Sequence, residues 1–245
     1  MYCYIYDDFV QERKFERELA AIEARITDLG LQGKIVRLAL FRHPNEIIER
    51  EVASGVKTVV VVGNDETVHK VANAIVDHHM VLGIIPMGTP NSMARILGIP
   101  NGVAACDVLT KRNIEKLDAG RVNDHRFFTN ISFPSSRGVV RYEKQYDVIM
   151  ERKGDVQVVN LETDPEVGLM AQPTDGVLDL FITQYVPGRF RKRQVQSHLP
   201  LKRAQLLFED AVRVEANGVE ITGNQFMLSS EPGALQVIVG RERSI

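Results

Sequence analysis

The stretch Val59-Val60-Val61-Val62-Gly63-Asn64-Asp65-Glu66-Thr67-Val68-His69-Lys70-Val71-Ala72-Asn73 decides the fold. Its valine run is apolar on both faces, as a strand buried inside a parallel sheet must be. A short polar turn follows, after which Val68, Val71, Ala72 and Ile75 return at helical spacing. Strand, tight turn and helix in direct succession are the first half of a βαβ unit. Val81 to Ile85 is the next strand, and it feeds Pro86-Met87-Gly88-Thr89-Pro90-Asn91-Ser92-Met93-Ala94-Arg95. Each turn stands at a helix start, where free backbone N–H groups and the positive helix end favour anions.

The same rhythm extends upstream. Phe15, Leu19, Ile22, Ile26 and Leu29 form a helical stripe that stops at Gly30. Ile35 to Phe41 is strand-like. A second helix follows Pro44, with Ile47, Ile48 and Val52 inward and Gly55 as its cap. This alternation predicts a doubly wound α/β domain over residues 1–118, with ligands near the carboxyl ends of its strands. From about Asp118 the pattern changes. Phe127 to Phe133, Tyr146 to Met150, Val156 to Leu161 and Leu178 to Tyr185 read as strands, with hairpin turns at Lys153-Gly154-Asp155 and Asn217-Gly218. Only Val195 to Phe208 looks helical. Residues 119–245 are therefore expected to form an antiparallel β-sandwich domain, the final strand being a candidate to pack back on the first.

Composition bounds the function classes. Of 245 residues, 44% are hydrophobic and 25% charged, which excludes disorder, collagen and coiled coil as overall descriptions. Thirty basic against thirty-two acidic residues give a net charge of -2, so no whole-protein grip on nucleic acid is expected. No apolar run approaches the roughly 20 residues of a membrane span. Asp7 and Asp8 follow a very short apolar stretch, which is not a signal peptide. Cys3 and Cys106 make neither a disulfide framework nor a metal cluster. A cytoplasmic protein is expected, peripheral at the membrane if the basic run described below docks on lipid.

The two turns, taken with three later stretches, resemble the catalytic domain of the diacylglycerol kinase family, in its small bacterial lipid-kinase branch. That family writes the first turn Gly-Gly-Asp-Gly-Thr and the second Gly-Thr-x-Asn-Asp-Phe-Ala-Arg. Leu117-Asp118-Ala119-Gly120-Arg121-Val122-Asn123 resembles its crossing into a β-rich domain. Thr174-Asp175-Gly176-Val177-Leu178-Asp179 is similar to its metal-associated motif, and Pro232-Gly233-Ala234-Leu235 to its closing strand. NAD kinases share the first turn, whereas Gly88-Thr89-Pro90-Asn91 favours the lipid-kinase side. The resemblance implies a nucleotide site at Gly63, Asp65, Thr67, Gly88, Thr89 and Asn91, and magnesium near Asp175. It further implies transfer of the ATP γ-phosphoryl group to a lipid hydroxyl, with Asp65 or Glu220 as proton acceptor.

The sequence departs from that pattern where phosphate chemistry is done. Two family glycines of the first turn are Asn64 and Glu66, and side chains there cost the close backbone approach that phosphate needs. Glu66 at about 4 Å from a polyanion would be repelled by roughly 4 kcal/mol before screening. The family's amino-terminal Asn-Pro-x-Ser-Gly phosphate loop is replaced by Asp7-Asp8-Phe9-Val10, whose two carboxylates also read as a solvated helix-start pair. The family's Asp-Gly-Glu base motif is Asn217-Gly218-Val219-Glu220, with the glutamate one position late, which in a strand is the opposite face. Asp65 with Thr67 also reads as an N-cap pair. Catalysis is therefore expected to be weakened or lost, and a lipid-, nucleotide- or protein-binding module with no cofactor is the alternative. Arg189, Arg191, Lys192 and Arg193, with Lys202 and Arg203 beyond, form the one basic concentration. They are either a solvated connection or a dock for anionic lipid headgroups, with Leu199, Leu201, Leu206, Leu207 and Phe208 as apolar neighbours. His43, His69 and the His78-His79 pair read as surface residues. The family's sheet edges support dimers, so a homodimer is expected.

Overall fold

Buried β-branched runs fix the first unit of the chain. In the computed structural model, residues 1–38, 44–143, 145–161, 163–164, 169–186 and 193–241 are described. They divide into two compact units, residues 1–117 with 234–245, and residues 118–233. The first unit is built on β1 (Tyr2–Asp7), β2 (Gly33–Leu38), β3 (Thr58–Gly63) and β4 (Val81–Pro86), all parallel, in the order β2-β1-β3-β4. Every residue of β3 and β4 is buried, as their two-faced apolar sequences require. The connections are α1 (Glu16–Asp28), α2 (Pro44–Ala53) and α3 (Asp65–Val76), with α4 (Ser92–Ile96) and α5 (Ala105–Lys111) after β4.

α1 buries Ile22 and Ile26 and gives way to Gly30 at φ +67°. In α2 the expected inward Val52 is exposed, and Glu51 is buried in its place. The reason is tertiary: its carboxylate accepts from Lys34 Nζ on β2 at 2.6 Å and from Arg50 Nε at 3.3 Å. A charge so paired tolerates an interior that an isolated one would not.

The second unit is built from antiparallel ladders. It comprises β5 (Ile114–Val122), β6 (His125–Phe127), β7 (Asn130–Tyr142), β8 (Tyr146–Val159), β9 (Thr163–Asp164), β10 (Leu169–Met170), β11 (Leu178–Val186), β12 (Arg193–Leu201), β13 (Arg203–Ala216) and β14 (Val219–Ile238). The main order is β12-β11-β8-β7-β13-β14, with β5 on β14 and β6 on β5. These strands share one core in which Phe133 packs on Phe226 and Phe208, ring centroids 5.0 and 5.6 Å away. The first residues of β5 and the last of β14 belong with the first unit, where Gln236 and Val237 pair in parallel with Val81 and Leu82.

Two local expectations are corrected. Lys153-Gly154-Asp155 is not a turn but the middle of β8. Gly154 is buried there, and a Cβ would meet Gln184 Cγ at 2.8 Å, so the glycine permits close strand approach. Val195 to Phe208 is not helical but falls in strands β12 and β13, with Leu201, Leu206 and Phe208 buried in the core rather than free for a membrane. Asn217-Gly218 is a hairpin turn between β13 and β14, at φ +49° and +81°. No described helix is long and apolar enough to cross a membrane.

Candidate functional site

Strand order locates the first site. From β1 the chain moves to β2 on one side and then to β3 on the other, so the sheet's topological switch point lies between β1 and β3. Their carboxyl ends are Asp7 and Gly63. Gly63 is tightly enclosed: a Cβ there would lie 3.2 Å from Asp7 Cβ and 3.3 Å from Thr67 Cβ. The Thr67 hydroxyl donates to Asp7 Oδ2. Asp7 also caps the 3-10 turn Asp8–Gln11, its Oδ1 accepting from the Phe9 N–H at 3.4 Å. The Phe9 ring then covers Gly88, which has φ +73°, and a Cβ at Gly88 would come within 2.7 Å of it.

The two turns are fastened to each other. Asn64 caps α3, its Oδ1 accepting from the Thr67 N–H at 3.4 Å. Asp65 donates its N–H to the Pro90 carbonyl at 2.9 Å. Its carboxylate accepts from the N–H groups of Ser92 at 2.6 Å and Met93 at 3.2 Å, the start of α4. Asn91 Nδ2 donates to the Gly88 carbonyl at 2.7 Å. Gly63, Asp65, Thr67, Gly88 and Asn91 thus form one constellation, with Thr89 exposed at its rim. Glu66 points out, 67% exposed, and accepts from Lys70 Nζ at 2.6 Å one helical turn on. His69 is half-buried rather than a surface residue, and burial lowers its imidazole pKa.

In the second unit, Asp175 is exposed and its Oδ1 accepts from the Val177 N–H at 2.9 Å. The turn is held from behind by Asp118, a role its sequence position did not signal. Asp118 is buried, with Oδ2 accepting from the Gly176 N–H at 2.6 Å and Oδ1 from the Gly233 N–H at 2.7 Å. Asp179 contacts His198 Nε2 at 2.6 Å, and that imidazole stacks on Phe181. Among the described residues no group of three histidine, cysteine or carboxylate side chains is placed to hold a metal ion. Glu220 is exposed and paired with Arg213 across the hairpin, while Asn217 Nδ2 donates to the Arg126 carbonyl at 2.8 Å. Of the basic run, Arg189, Arg191 and Lys192 lie outside the described residues, and Arg193 is exposed at the start of β12.

The sequence model of the family described as the diacylglycerol kinase catalytic domain matches residues 2–122, which contain both turns of this constellation. Through these residues the chain belongs to the diacylglycerol kinase catalytic-domain family. Diacylglycerol kinases of Staphylococcus aureus strains RF122 and MRSA252 are each 29% identical over 142 residues, 57% of this chain and 45% of the relative. The matched part therefore spans less than half the length of those relatives. Among solved structures, a diacylglycerol kinase from Bacillus anthracis superposes with a TM-score of 0.81 at 18% identity, over 98% of this chain and 96% of that one. A second Bacillus anthracis structure gives 0.80 at 17%, over 98% and 95%. At that identity the likeness is one of fold, an α/β two-domain kinase fold with a large mixed sheet, and it extends across nearly the whole chain.

Proposed function

We propose that this diacylglycerol-kinase-family chain descends from an ATP-dependent kinase of a lipid hydroxyl and that its own catalysis is weakened or lost. One observation carries the reading: donor groups at the switch point are engaged by the chain's own side chains. The Thr67 hydroxyl is engaged by Asp7, the Ser92 and Met93 N–H groups by Asp65, and the face of Gly88 by Phe9. The family in general uses ATP and magnesium. The residues present here do not fit a polyphosphate without displacement, because two carboxylates hold the donors it would need. The carboxylate nearest the expected metal, Asp175, is occupied at Oδ1 by its own turn. Glu220 supports the same reading, since its ion pair with Arg213 commits it away from proton transfer. Docking on anionic lipid through the run that ends at Arg193 belongs to this proposal, at about 1 kcal/mol per basic residue near the surface.

Transfer of labelled phosphate from ATP to diacylglycerol in mixed micelles tests the proposal. Turnover far below the roughly 1–100 s⁻¹ ordinary for kinases is expected. The variant Asp7→Asn, which frees Thr67 of a charge, should raise it, and Val219→Glu should raise it further. A wild-type rate within the ordinary range sinks the idea of weakened catalysis.

A further inference from the structure

A second concavity in the first unit borders that constellation and carries cations which that reading does not use. It is a pocket of about 750 Å³ bounded by α4, the 98–101 loop, α5 and the residues after β14. Thr89 and Asn91, from the edge of the switch-point constellation, line one side of it, whereas Asp7, Gly63, Asp65 and Thr67 do not. Its volume is that of a small-molecule site, in the range of roughly 300–1,000 Å³. Its wall carries Arg95 from the last turn of α4, Lys111 from the end of α5, and Arg241. The pocket's one carboxylate, Asp107, is already engaged by Arg25 Nη2 at 2.5 Å. Arg112, beside Lys111, is turned to the Thr58 hydroxyl at 3.1 Å and does not face the pocket's wall. Among the described residues, no carboxylate pairs with Arg95, Lys111 or Arg241. A chain of net charge -2 thus gathers three cations without a carboxylate partner among the described residues around one cavity. Clustered like charge in a concave wall focuses positive potential and concentrates anions.

We infer that this pocket binds a phosphate monoester. Such a group carries close to two negative charges at neutral pH, since its second pKa is about 6. Guanidinium forks such as those of Arg95 and Arg241 match its oxygens two at a time, and Lys111 adds a point charge. Asn101 supplies a neutral amide and Ile99 a buried apolar floor for whatever the phosphate is esterified to. The site meets the switch-point constellation at Thr89 and Asn91, but none of its cations belongs to that constellation, so substituting them tests the pocket apart from the kinase reading.

Calorimetric titration of the whole chain with glycerol 3-phosphate at low salt tests it. Saturable one-site binding with Kd below about 1 mM is expected. The variants Lys111→Gln/Arg241→Gln and Arg95→Gln should each weaken it on the order of tenfold, as should raised salt. Lys153→Gln, which removes a cation from the second unit, should leave affinity unchanged. Phosphatidylcholine vesicles doped with phosphatidic acid, the simplest lipid phosphomonoester, distinguish the source. Sedimentation that glycerol 3-phosphate displaces and the double variant loses assigns the pocket to a lipid headgroup; titration heat without sedimentation assigns it to a soluble ester. No saturable heat at millimolar ligand from protein that circular dichroism shows folded overturns the inference. So does binding that all three glutamine substitutions leave intact.

Discussion

Replacing Asp65 by alanine isolates the structural share of a residue that the family pattern marks as functional. The carboxylate accepts two backbone N–H groups at the start of α4, one at 2.6 Å and one at 3.2 Å. Hydrogen bonds to a charged group contribute about 1.5–3 kcal/mol each, but one carboxylate serves both and the longer is weaker. Ser92 is exposed, so water replaces its bond, whereas Met93 is buried and its N–H loses a partner that water reaches poorly. Loss of an aspartate cap alone costs about 1 kcal/mol. Together these give about 2 kcal/mol for Asp65→Ala and about half of that for Asp65→Asn, which keeps an acceptor without the charge. Urea unfolding read by helical circular dichroism is the assay, because all described α-helix lies in the first unit. With m near 2 kcal/mol/M, the alanine midpoint should fall by about 1 M and the asparagine midpoint by about 0.5 M. An alanine midpoint within about 0.2 M of wild type, at unchanged m, would refute the assignment of Asp65 as the tie between the turns. The consequence for function is direct: activity lost in Asp65→Ala counts as lost chemistry only after this destabilisation is corrected for.

Three further outcomes follow from the geometry. Gly88→Ala places a methyl within 2.7 Å of the Phe9 ring at φ +73°, so it should destabilise by about 1–3 kcal/mol, and Phe9→Ala in the same chain should recover part of that in thermal unfolding. Lys34→Met leaves the buried Glu51 carboxylate with Arg50 alone and should cost about 3 kcal/mol, whereas Lys34→Met with Glu51→Leu should restore most of it; equal losses in the two variants would contradict the ion-pair account. Burial raises the thiol pKa of Cys3 and of Cys106 from 9.0 to about 11, so both should resist iodoacetamide at pH 8 in the folded state. Between pH 9 and 11 the unfolded chain releases those protons while the folded chain keeps them, so stability should fall across that window and lose this contribution in Cys3→Ala/Cys106→Ala.

The scaffold was legible because its signals are local. The valine run of β3 needs no partner to announce a two-faced buried strand, and Asn217-Gly218 states its own turn through two positive φ angles. What escaped the sequence depends on neighbours distant in the chain. Glu51 turns inward only because Lys34 stands on the adjacent strand, and Gly154 reads as a turn until the close approach of β11 is known. The run from Val195 to Phe208 mixes leucine spacings that serve either period, and the strand ladders with β11, β7 and β14 decide it. At the site, the family resemblance grouped Asp65 and Thr67 with the second turn, while the engagement of Thr67 by Asp7 joins residues sixty apart. Glu66 looked repulsive in one dimension, yet Lys70 one turn on draws it outward. Asp118 looked like a connection and is instead a buried clamp on two glycine amides.

In the function proposed above, the chain's own carboxylates hold the seat a nucleotide would need. Calorimetric titration of the folded chain with ATP and magnesium tests it most directly, alongside Asp7→Asn. No saturable heat below about 1 mM is expected of wild type, with measurable binding emerging in the variant as Thr67 is released from a charge. Micromolar binding by the wild-type chain that Asp65→Ala removes and Asp7→Asn leaves unchanged would contradict it.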